Sequence, residues 1–283
     1  MTRTDAPRDL QDHLRRLEDR GLRRRIDREI DKDNELHPLV RWQFQGGLTE
    51  KERSAFLFTN VVDAKGRKFD MPVTVGALAA TPEIYAAGLG VPVAEIGDVW
   101  VRAMQRPIQP ETVTDAPCQE VVLTGSDLVN EGGGMAALPV PVSTPGFDAA
   151  PYLTAPLVVT QDPESGVRNM GTYRGQLKAK ARLGVRMASR LGGAGGYQHW
   201  LKYKARGEKM PVAIVVGCAP AVLFTGPQKL PIDDDEMAVA GGLIGAPVRT
   251  VRCKTVDLEV PADAEIVIEG EIATAYLAPE GPF

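Results

Sequence analysis

Cysteine and histidine are scarce in this sequence, and their scarcity limits the kinds of site that it can build. The 283 residues include three histidines and three cysteines, Cys118, Cys218 and Cys253. The cysteines are widely spaced and form no Cys-x-x-Cys pair. Their odd number and their spacing argue against a disulfide framework and a cysteine-based zinc site, and they fit a reducing compartment. We therefore expect a cytoplasmic protein.

A strong net charge and a long apolar run are absent as well. Lys and Arg number 33 against 37 Asp and Glu, a net charge of −4, whereas a nucleic-acid surface needs a strongly basic face. The N-terminus is charged and has no apolar signal core, and no apolar run approaches the ~18 residues of a membrane span. We expect a soluble chain with neither a nucleic-acid partner nor a membrane span. Apolar residues make up 43%, enough for a sizeable core.

The pattern of elements predicts an α+β protein with two domains. Residues 1–117 read as a small α/β domain, and residues 118–283 are rich in short strands separated by Gly, Pro and Asp. The strand-rich part favours a barrel or a strongly bent sheet. In the first domain we predict a helix over 8–20, a strand over 22–30, a hairpin over 54–78 with its turn at 63–67, and a helix capped by Thr81 with Pro82 at its first position.

The second domain is predicted in the same way. Its elements are a hairpin over 151–174 with its turn at 162–166, a strand over 175–188, a helix over 197–206 closed by Gly207, a buried strand over 211–219, a helix over 233–245 and strands over 247–260 and 264–277.

A glycine-rich loop leads into the predicted helix that starts near Tyr197. The stretch GGAGGYQHW, residues 192–200, places Gln198 and His199 in a first helical turn, where backbone N–H groups favour a phosphate. The loop is neither a Walker loop nor a Gly-x-Gly-x-x-Gly after a strand. Taken alone, it favours a structural role, with His199 as a hydrogen-bonded residue in a glycine-rich turn.

The stretch VRNMGTYR, residues 167–174, carries an amide and a guanidinium. In a regular strand, side-chain alternation places Asn169 on one face and Arg174 on the other. For both to serve one site the strand must twist, bulge or end, and Gly171 is a suitable position for that. The alternative is a barrel strand with a surface arginine.

Two carboxylates are further candidates. Glu236 lies in the first turn of a predicted helix, where the helix dipole alone accounts for an acidic residue. Glu280 lies in the final stretch LAPEGPF and, in the simplest interpretation, is an exposed turn residue. An arginine paired with such a glutamate in a dry site could orient a carboxylate substrate or move a proton.

These motifs, in this order, resemble the UbiD-type decarboxylases, which use prenylated FMN. NMGTYR resembles the family's Asn-x-Gly-x-Tyr-Arg strand, YQHW its Gln-His helix start, and MPVAIVVGCAP the strand and loop that follow. EGPF resembles the start of a Glu-Gly-Pro-Phe-Gly-acid motif. The stretches LVRWQFQGGL and VDLEVPADAEIVIEG are similar to family sequences too, so the resemblance spans nearly the whole chain.

The resemblance implies a metal and a flavin. Asn169, His199 and Glu236 match positions that hold Mn²⁺ or Mg²⁺, which also binds the flavin phosphate; oxygen ligands with one imidazole suit such a hard cation. The loop at 218–226 matches a segment whose carbonyls bind K⁺. The other residues implied at the prenylated FMN are Thr172, Tyr173, Arg174 and Gln198. The family also implies a split barrel, related to flavin reductases, as the cofactor domain.

The resemblance also implies the reaction and its partners. It is the non-oxidative, in principle reversible, decarboxylation of an aromatic or α,β-unsaturated carboxylic acid through a covalent substrate–flavin adduct. No side chain can hold the carbanion that the loss of CO₂ would leave, so the cofactor must serve as the electron sink. Arg174 and Glu280 match the catalytic pair, with Arg174 orienting the carboxylate. A flavin prenyltransferase would supply the cofactor, and the full-length family members form homo-oligomers.

The sequence departs from the family at its end. The family motif continues with a glycine and an acidic proton donor and then a C-terminal domain, whereas this sequence stops at Phe283. The expectation is a truncated chain, or one subunit of a split enzyme, with poor activity alone. Two alternatives stay open. A flavin reductase-like FMN protein would oxidise NAD(P)H without metal, and a non-catalytic subunit would stay colourless after co-expression with the prenyltransferase.

Overall fold

A computed structural model gives the fold and describes residues 5–189, 192–231 and 234–283. The helices are α1 Leu10–Asp19, α2 Leu36–Gln45, α3 Pro82–Leu89, α4 Ile96–Gln105, α5 Gly195–Arg206, α6 Pro220–Thr225 and α7 Glu236–Ile244. The strands are β1 Arg23–Ile26, β2 Ile30–Asp31, β3 Ala55–Phe58, β4 Val61–Val62, β5 Lys68–Phe69, β6 Val73–Val75, β7 Glu111–Val113, β8 Tyr152–Leu153, β9 Leu157–Gln161, β10 Arg168–Thr172, β11 Gly175–Ala179, β12 Arg182–Val185, β13 Met210–Val216, β14 Arg249–Arg252, β15 Glu259–Pro261 and β16 Ile266–Ile272.

The N-terminal elements form two small sheets with helices packed against them. The sheets have the strand orders β1-β3-β6 and β2-β4-β5. The antiparallel pair β4–β5 is joined through the predicted turn at 63–67, and β3 pairs with β6 outside it, so the hairpin is confirmed. Helix α3 is capped as predicted, because the Thr81 side chain accepts the Ile84 N–H at 3.2 Å and Pro82 is the first residue.

Two features of this part differ from the sequence-based expectation. The single strand predicted over 22–30 is two strands, because β1 pairs with β3 in one sheet and β2 pairs with β4 in the other. Helices α2 and α4 were not predicted. Apolar residues of α2 lie on both its faces, with Val40 buried and Trp42 72% exposed, so they form no single helical stripe.

The strand-rich part is built on an antiparallel sheet of order β10-β9-β13-β16. The predicted hairpin β9–β10 is confirmed, with Arg168 opposite Gln161 across the turn. The apolar strand β13 lies between β9 and β16, and its buried Ala213 and Val215 belong to the largest core cluster. Its position inside the sheet explains why its sequence does not alternate.

Two predicted strands of this part are hairpins instead. The segment 175–188 turns back after β11 to form β12, and the segment 247–260 forms the antiparallel pair β14–β15. The turn at Lys180 and Ala181 contains neither glycine nor proline, so the alternating pattern runs through it unmarked.

Five separate sheets of three or four strands account for the strand pairing, and no closed barrel occurs among the described residues. The fold is therefore mixed α+β. The two predicted domains are in contact, because β7 pairs in parallel with β14, and Val99 of α4 shares a core cluster with Val239 of α7. The boundary near residue 117 stays a prediction.

The helices of the described residues are short relative to a membrane span. Within residues 5–189, 192–231 and 234–283, no single helix is long and apolar enough for that. One pair of consecutive helical segments, Pro82–Leu89 and Val93–Gln105, passes by length and composition together, but it is bent by 70°.

Candidate functional site

The site begins at a corner between two sheets. Strand β10 ends at Thr172, whose N–H donates to the carbonyl of Gly226 at 3.0 Å, and Arg174 immediately precedes β11 in a different sheet. The sequence predicted that the strand would twist, bulge or end in this stretch, and in the structure it ends. Side-chain alternation along one strand therefore does not fix where Arg174 points relative to Asn169.

Gly171 allows the side chain of Tyr173 to fold back over the strand. A Cβ atom at Gly171 would lie 2.2 Å from Cζ of Tyr173, closer than any real contact. In this position the Tyr173 hydroxyl accepts hydrogen bonds from Nδ2 of Asn169 at 3.1 Å and from the N–H of Gly196 at 3.3 Å. Tyr173 therefore ties β10 to the start of α5.

These contacts also fix the orientation of the Asn169 amide. Because its nitrogen is bound to Tyr173, its Oδ1 faces Gly195, where a Cβ atom would lie only 2.0 Å away. Asn169 is 9% exposed. The glycines of the predicted loop thus serve a steric purpose, since they let α5 start directly against this amide oxygen.

His199 is buried in the first turns of α5 and is held by one ring nitrogen. Its Nδ1 is 2.9 Å from Oγ1 of Thr160, and Thr160 lies directly opposite Asn169 in the β9–β10 ladder. Burial lowers the pKa of His199, which favours the neutral ring. When Nδ1–H donates to Thr160, the lone pair of Nε2 is left for a ligand. The hydrogen-bonded, buried histidine expected from the loop alone is thus present, in a geometry that also suits a ligand.

Glu236 reaches the same strand from the other side. It is the first residue of α7, which Asp235 caps by accepting the Met237 N–H at 2.9 Å. The Glu236 carboxylate accepts the N–H of Met170, the residue after Asn169, at 2.9 Å. Burial raises the pKa of Glu236 to about 7. A carboxylate with so costly a charge is a group whose ionised form a cation would stabilise.

Asn169, His199 and Glu236 offer ligand types that suit a divalent cation. β10, α5 and α7 contribute an amide oxygen, a neutral imidazole and a carboxylate respectively, which are ligand types that Mg²⁺ and Mn²⁺ accept. In the described part of the chain, no three His, Cys, Asp or Glu side chains converge on one point. The set therefore fits a metal ion only with the Asn169 amide included and with further oxygens from outside the chain, such as those of a phosphate.

The remaining residues implied at the cofactor lie around this cluster. Gln198 is half-buried beside Gly193, and Thr172 is half-buried at the end of β10. The segment 218–226 was predicted as a loop, but most of it is the buried helix α6. The Gly226 carbonyl is bound to Thr172, and the Ala219 carbonyl accepts from Val222 at 3.0 Å.

Arg174 and Glu280 form a two-pronged ion pair across the corner. Nε and Nη2 of Arg174 donate to the two carboxylate oxygens at 2.7 and 2.8 Å. The Arg174 guanidinium lowers the pKa of Glu280, whose side chain is 13% exposed, so this residue is not an exposed turn residue. Arg186 approaches the same carboxylate at 3.8 Å. The structure thus pairs two residues that are 106 positions apart in the chain.

Glu280 belongs to a short stretch, residues 279–283, that we call the covering segment because it lies over β8 and β11. The Pro279 carbonyl accepts from Nζ of Lys178, and the Pro282 carbonyl accepts from the N–H of Ala149 at 3.0 Å. The Phe283 ring lies 4.3 Å from the Tyr152 ring between centroids and 4.8 Å from Cζ of Arg174. Contacts from both ends therefore hold the Glu280 carboxylate in place.

Some residues with evident roles at the site were not found from the sequence. Thr160 orients His199, and Arg168 forms an ion pair with Asp235 that links the start of β10 to the cap of α7. The hairpin turn at 162–166 was recognised, but its register was not, and only the register places Thr160 opposite Asn169. Tyr152 carried no motif at all.

A cavity of about 610 Å³ opens beside the Arg168–Asp235 ion pair. Its lining includes Arg168, Asp235 and Glu259 but none of the eight residues predicted for the site. The cavity is therefore separate from the Arg174–Glu280 pair, and its volume does not support the assignment of the predicted residues to a functional site.

Two family models match the chain. The one described as 3-octaprenyl-4-hydroxybenzoate carboxy-lyase N-terminal domain covers residues 14–104, and the one described as 3-octaprenyl-4-hydroxybenzoate carboxy-lyase Rift-related domain covers residues 111–283. Fold and sequence thus define a relative of the carboxy-lyases. The chain belongs to the UbiD family, which confirms the resemblance found in its motifs.

Individual relatives agree with this assignment. The chain is 34% identical to the uncharacterized protein sll0936 of Synechocystis sp. over 98% of its own length and 56% of that protein. The UbiD-class enzyme HmfF from Pelotomaculum thermopropionicum, in complex with FMN, has a TM-score of 0.84 and 32% identity over 97% of this chain and 57% of its own. An evolved dimeric HmfF in complex with prFMN gives 0.85 and 32%, over 98% and 60%.

A third relative carries a substrate in its name. Vanillic acid decarboxylase from Sedimentibacter hydroxybenzoicus, in its closed form, has a TM-score of 0.85 and 26% identity over 98% of this chain and 57% of its own. The chain thus spans 56–60% of the length of these relatives.

Proposed function

We propose that the chain is the cofactor-holding portion of a decarboxylase that acts on an aromatic or α,β-unsaturated carboxylic acid. The observation that carries the proposal is the pairing of Arg174 with Glu280 at the corner after β10. Family membership supports it, as do relatives named for FMN, prFMN and vanillic acid.

Arg174 would bind the substrate carboxylate, because a planar guanidinium offers paired N–H donors that match its two oxygens. Glu280 would keep the guanidinium in plane with the substrate. Since its pKa is lowered, Glu280 is ionised at neutral pH and is suited to orient Arg174 or to accept a proton on a carboxylate oxygen, rather than to donate one.

The cofactor proposed is prenylated FMN, which would supply the electron sink that no side chain provides. Asn169, His199 and Glu236 would bind Mn²⁺ or Mg²⁺ at its phosphate, with Thr172, Tyr173, Arg174 and Gln198 lying beside the flavin. Segment 218–226 would contribute carbonyls to K⁺. A split-barrel character of the cofactor domain, a flavin prenyltransferase as supplier and a homo-oligomer belong to the same proposal.

The experiment is to co-express the chain with a flavin prenyltransferase and to measure bound cofactor before any activity. We expect a coloured protein whose bound flavin, identified by absorbance and mass, is prenylated and is lost on treatment with a chelator. Colourless protein would favour the non-catalytic subunit, and NAD(P)H oxidation by metal-free protein would favour the flavin reductase.

Turnover is then measured with vanillic acid, 3,4-dihydroxybenzoic acid and cinnamic acid. Formation of the decarboxylated product should require prenylated flavin and should be absent from protein loaded with FMN alone. The same assay is repeated with the chain fused to the C-terminal region of HmfF. A coloured fusion that releases no CO₂ from any aromatic or unsaturated acid would contradict the proposal.

A further inference from the structure

The face of β8 and β11 below the covering segment is unusually polar for a buried surface. Leu153 and Leu177 point to the opposite face and pack in a core cluster. Tyr152 and Gln176, which are direct partners in the β8–β11 ladder, share the face that carries Arg174. Tyr152 is 1% exposed and Gln176 is 5% exposed.

Both of these residues have a buried polar atom without a well-formed hydrogen bond. Oε1 of Gln176 has no partner among the described residues, and the hydroxyl of Tyr152 makes no hydrogen bond of normal geometry, although it lies near enough to the Glu280 carboxylate to help lower the pKa of Glu280. Native proteins rarely leave such groups unpaired, because burial removes their hydrogen bonds to water without replacing them. A buried phenol that lies beside an ion pair without a hydrogen bond of normal geometry is expected to complete one in another state of the site.

The Glu280 carboxylate is the acceptor best suited to the phenol. The Tyr152 ring lies 5.9 Å from Cζ of Arg174, which is paired with Glu280, and it contacts the Phe283 ring of the covering segment at an interplanar angle of 38°. The two groups already interact, because burial and the Glu280 charge raise the pKa of Tyr152, and the Tyr152 hydroxyl adds to the effect of Arg174 in lowering the pKa of Glu280. Gln176 offers only a neutral oxygen, and a hydrogen bond to an ionised acceptor is the stronger one.

The ion pair indicates the state in which Glu280 would require a hydrogen bond from the Tyr152 hydroxyl. Arg174 uses Nε and Nη2 for the two oxygens of Glu280, so two of its three donor nitrogens are engaged. A carboxylate ligand that draws Nη2 away would leave one Glu280 oxygen without its donor. The other charged groups are poor replacements: Arg186 stays 3.8 Å away and is largely exposed, and Lys178 is bound to the Pro279 carbonyl.

We propose that Tyr152 is a positioning residue, whose buried hydroxyl donates to the Glu280 carboxylate and holds it ionised and in place when Arg174 turns to a carboxylate ligand. The role rests on the proposed function only in that Arg174 binds a carboxylate. The hydrogen bond between phenol and carboxylate can be tested without it.

The first test measures the pKa of Glu280 in the 283-residue chain without cofactor. Glutamate is labelled with ¹³C at the side-chain carboxyl, the Glu280 resonance is assigned from its loss in Glu280→Gln, and the chain is titrated by NMR. Four proteins are compared: wild type, Tyr152→Phe, Arg174→Met, and the double variant. Arg174→Met imitates the loss of the guanidinium from Glu280.

A donor to the ionised carboxylate lowers its pKa, so removing the hydroxyl should raise it. In the Arg174→Met background we expect Tyr152→Phe to raise the pKa of Glu280 by about one unit, and by less while Arg174 still occupies both oxygens. Tyr276→Phe, a change at a tyrosine that is 59% exposed, should leave the value unchanged. No shift between Arg174→Met and the double variant would overturn the proposal.

The second test uses the holoenzyme. The acidic limb of its kcat/KM profile should move to higher pH in Tyr152→Phe, with flavin occupancy unchanged. An unmoved limb would likewise overturn the role of Tyr152. If the wild-type holoenzyme decarboxylates nothing, the proposed function fails, while the NMR titration still decides whether Tyr152 binds Glu280.

Discussion

Glu236 and Glu280 contact opposite ends of the six-residue stretch NMGTYR, residues 169–174, and their surroundings shift their pKa values in opposite directions. Glu236 meets the Met170 N–H in the interior, where burial raises its pKa to about 7. Glu280 meets the Arg174 guanidinium near the surface, which lowers its pKa. The Glu236 end of the stretch therefore favours a cation from outside the chain, whereas at the Glu280 end the chain supplies the cation itself, as Arg174.

The corner at Tyr173 makes this separation possible. Asn169 and Tyr173 are joined by a hydrogen bond on the interior side, while Arg174 already faces the covering segment. A strand that continued straight would have kept these groups in one sheet. A short motif can thus serve two electrostatic environments when a sheet ends inside it.

The largest effect is expected at the charged end. Glu280→Gln keeps the shape but removes the charge that holds Arg174, so decarboxylation by the holoenzyme should fall by about 10³-fold, a typical size for the loss of a positioned carboxylate. Flavin occupancy, read from absorbance, should stay at the wild-type level. Glu271→Gln, which changes an exposed ion pair with Lys209, is the matched control. Wild-type turnover in Glu280→Gln would remove Glu280 from the mechanism.

A change at the interior end should instead reduce the binding of metal and flavin, which the change at the charged end leaves intact. His199→Ala removes the imidazole that is hydrogen-bonded to Thr160, the residue opposite Asn169 in the β9–β10 ladder. The affinity for Mn²⁺ should therefore fall by about 100-fold, and the amount of bound flavin should fall with it. Metal analysis and flavin absorbance measure both. His37→Ala, in α2, serves as the control. If His199→Ala protein kept its full metal and flavin, the interior cluster would not be the binding site.

Gly171 joins the two ends, and a side chain there should disturb both. Gly171→Ala forces the Tyr173 ring out of its place, at a cost of about 1–3 kcal/mol in the free energy of unfolding measured with urea. The matched change is Gly270→Ala in β16, where a Cβ atom would meet nothing within 4 Å. Equal stability of the two variants would show that Tyr173 does not need the space at Gly171.

The smallest effect concerns acid stability. Because the pKa of Glu280 is lower in the folded chain than in the unfolded one, its ion pair stabilises the fold above the ordinary glutamate pKa, and this contribution is lost as the pH falls through the folded value. The difference in unfolding free energy between wild type and Glu280→Gln should reach about 1 kcal/mol at most and vanish in acid. Urea unfolding across the acidic range would measure it. A difference that grows in acid would contradict this sign.

Local signals in the sequence predicted those parts of the fold that local energies decide. Thr81 and Pro82 start α3, Gly207 ends α5, and the turns at 63–67 and 162–166 close two hairpins, since caps and turns depend on neighbouring residues. The interior candidates Asn169, His199 and Glu236 came from the family resemblance, and the structure gathers them around one strand.

The parts that were missed depend on contacts between distant segments. Lys180 and Ala181 form a turn only because β12 has β11 to pair with, and nothing in these two residues marks it. The Arg174–Glu280 pair was expected from the resemblance alone, because no periodicity relates residues 106 positions apart. Tyr152 was not predicted as a site residue for a different reason. Its significance is a buried hydroxyl next to Glu280, an arrangement that exists only once distant segments are in place.

The packing of α4 against α7 has a consequence for how the molecule unfolds. A Cβ atom on Gly242 would lie 2.9 Å from Cα of Ala103, so the two helices touch almost backbone to backbone, and α7 is the helix that begins with Glu236. We therefore expect α4 and the interior cluster to unfold together. In a calorimeter, their heat of unfolding should be absorbed in a single transition.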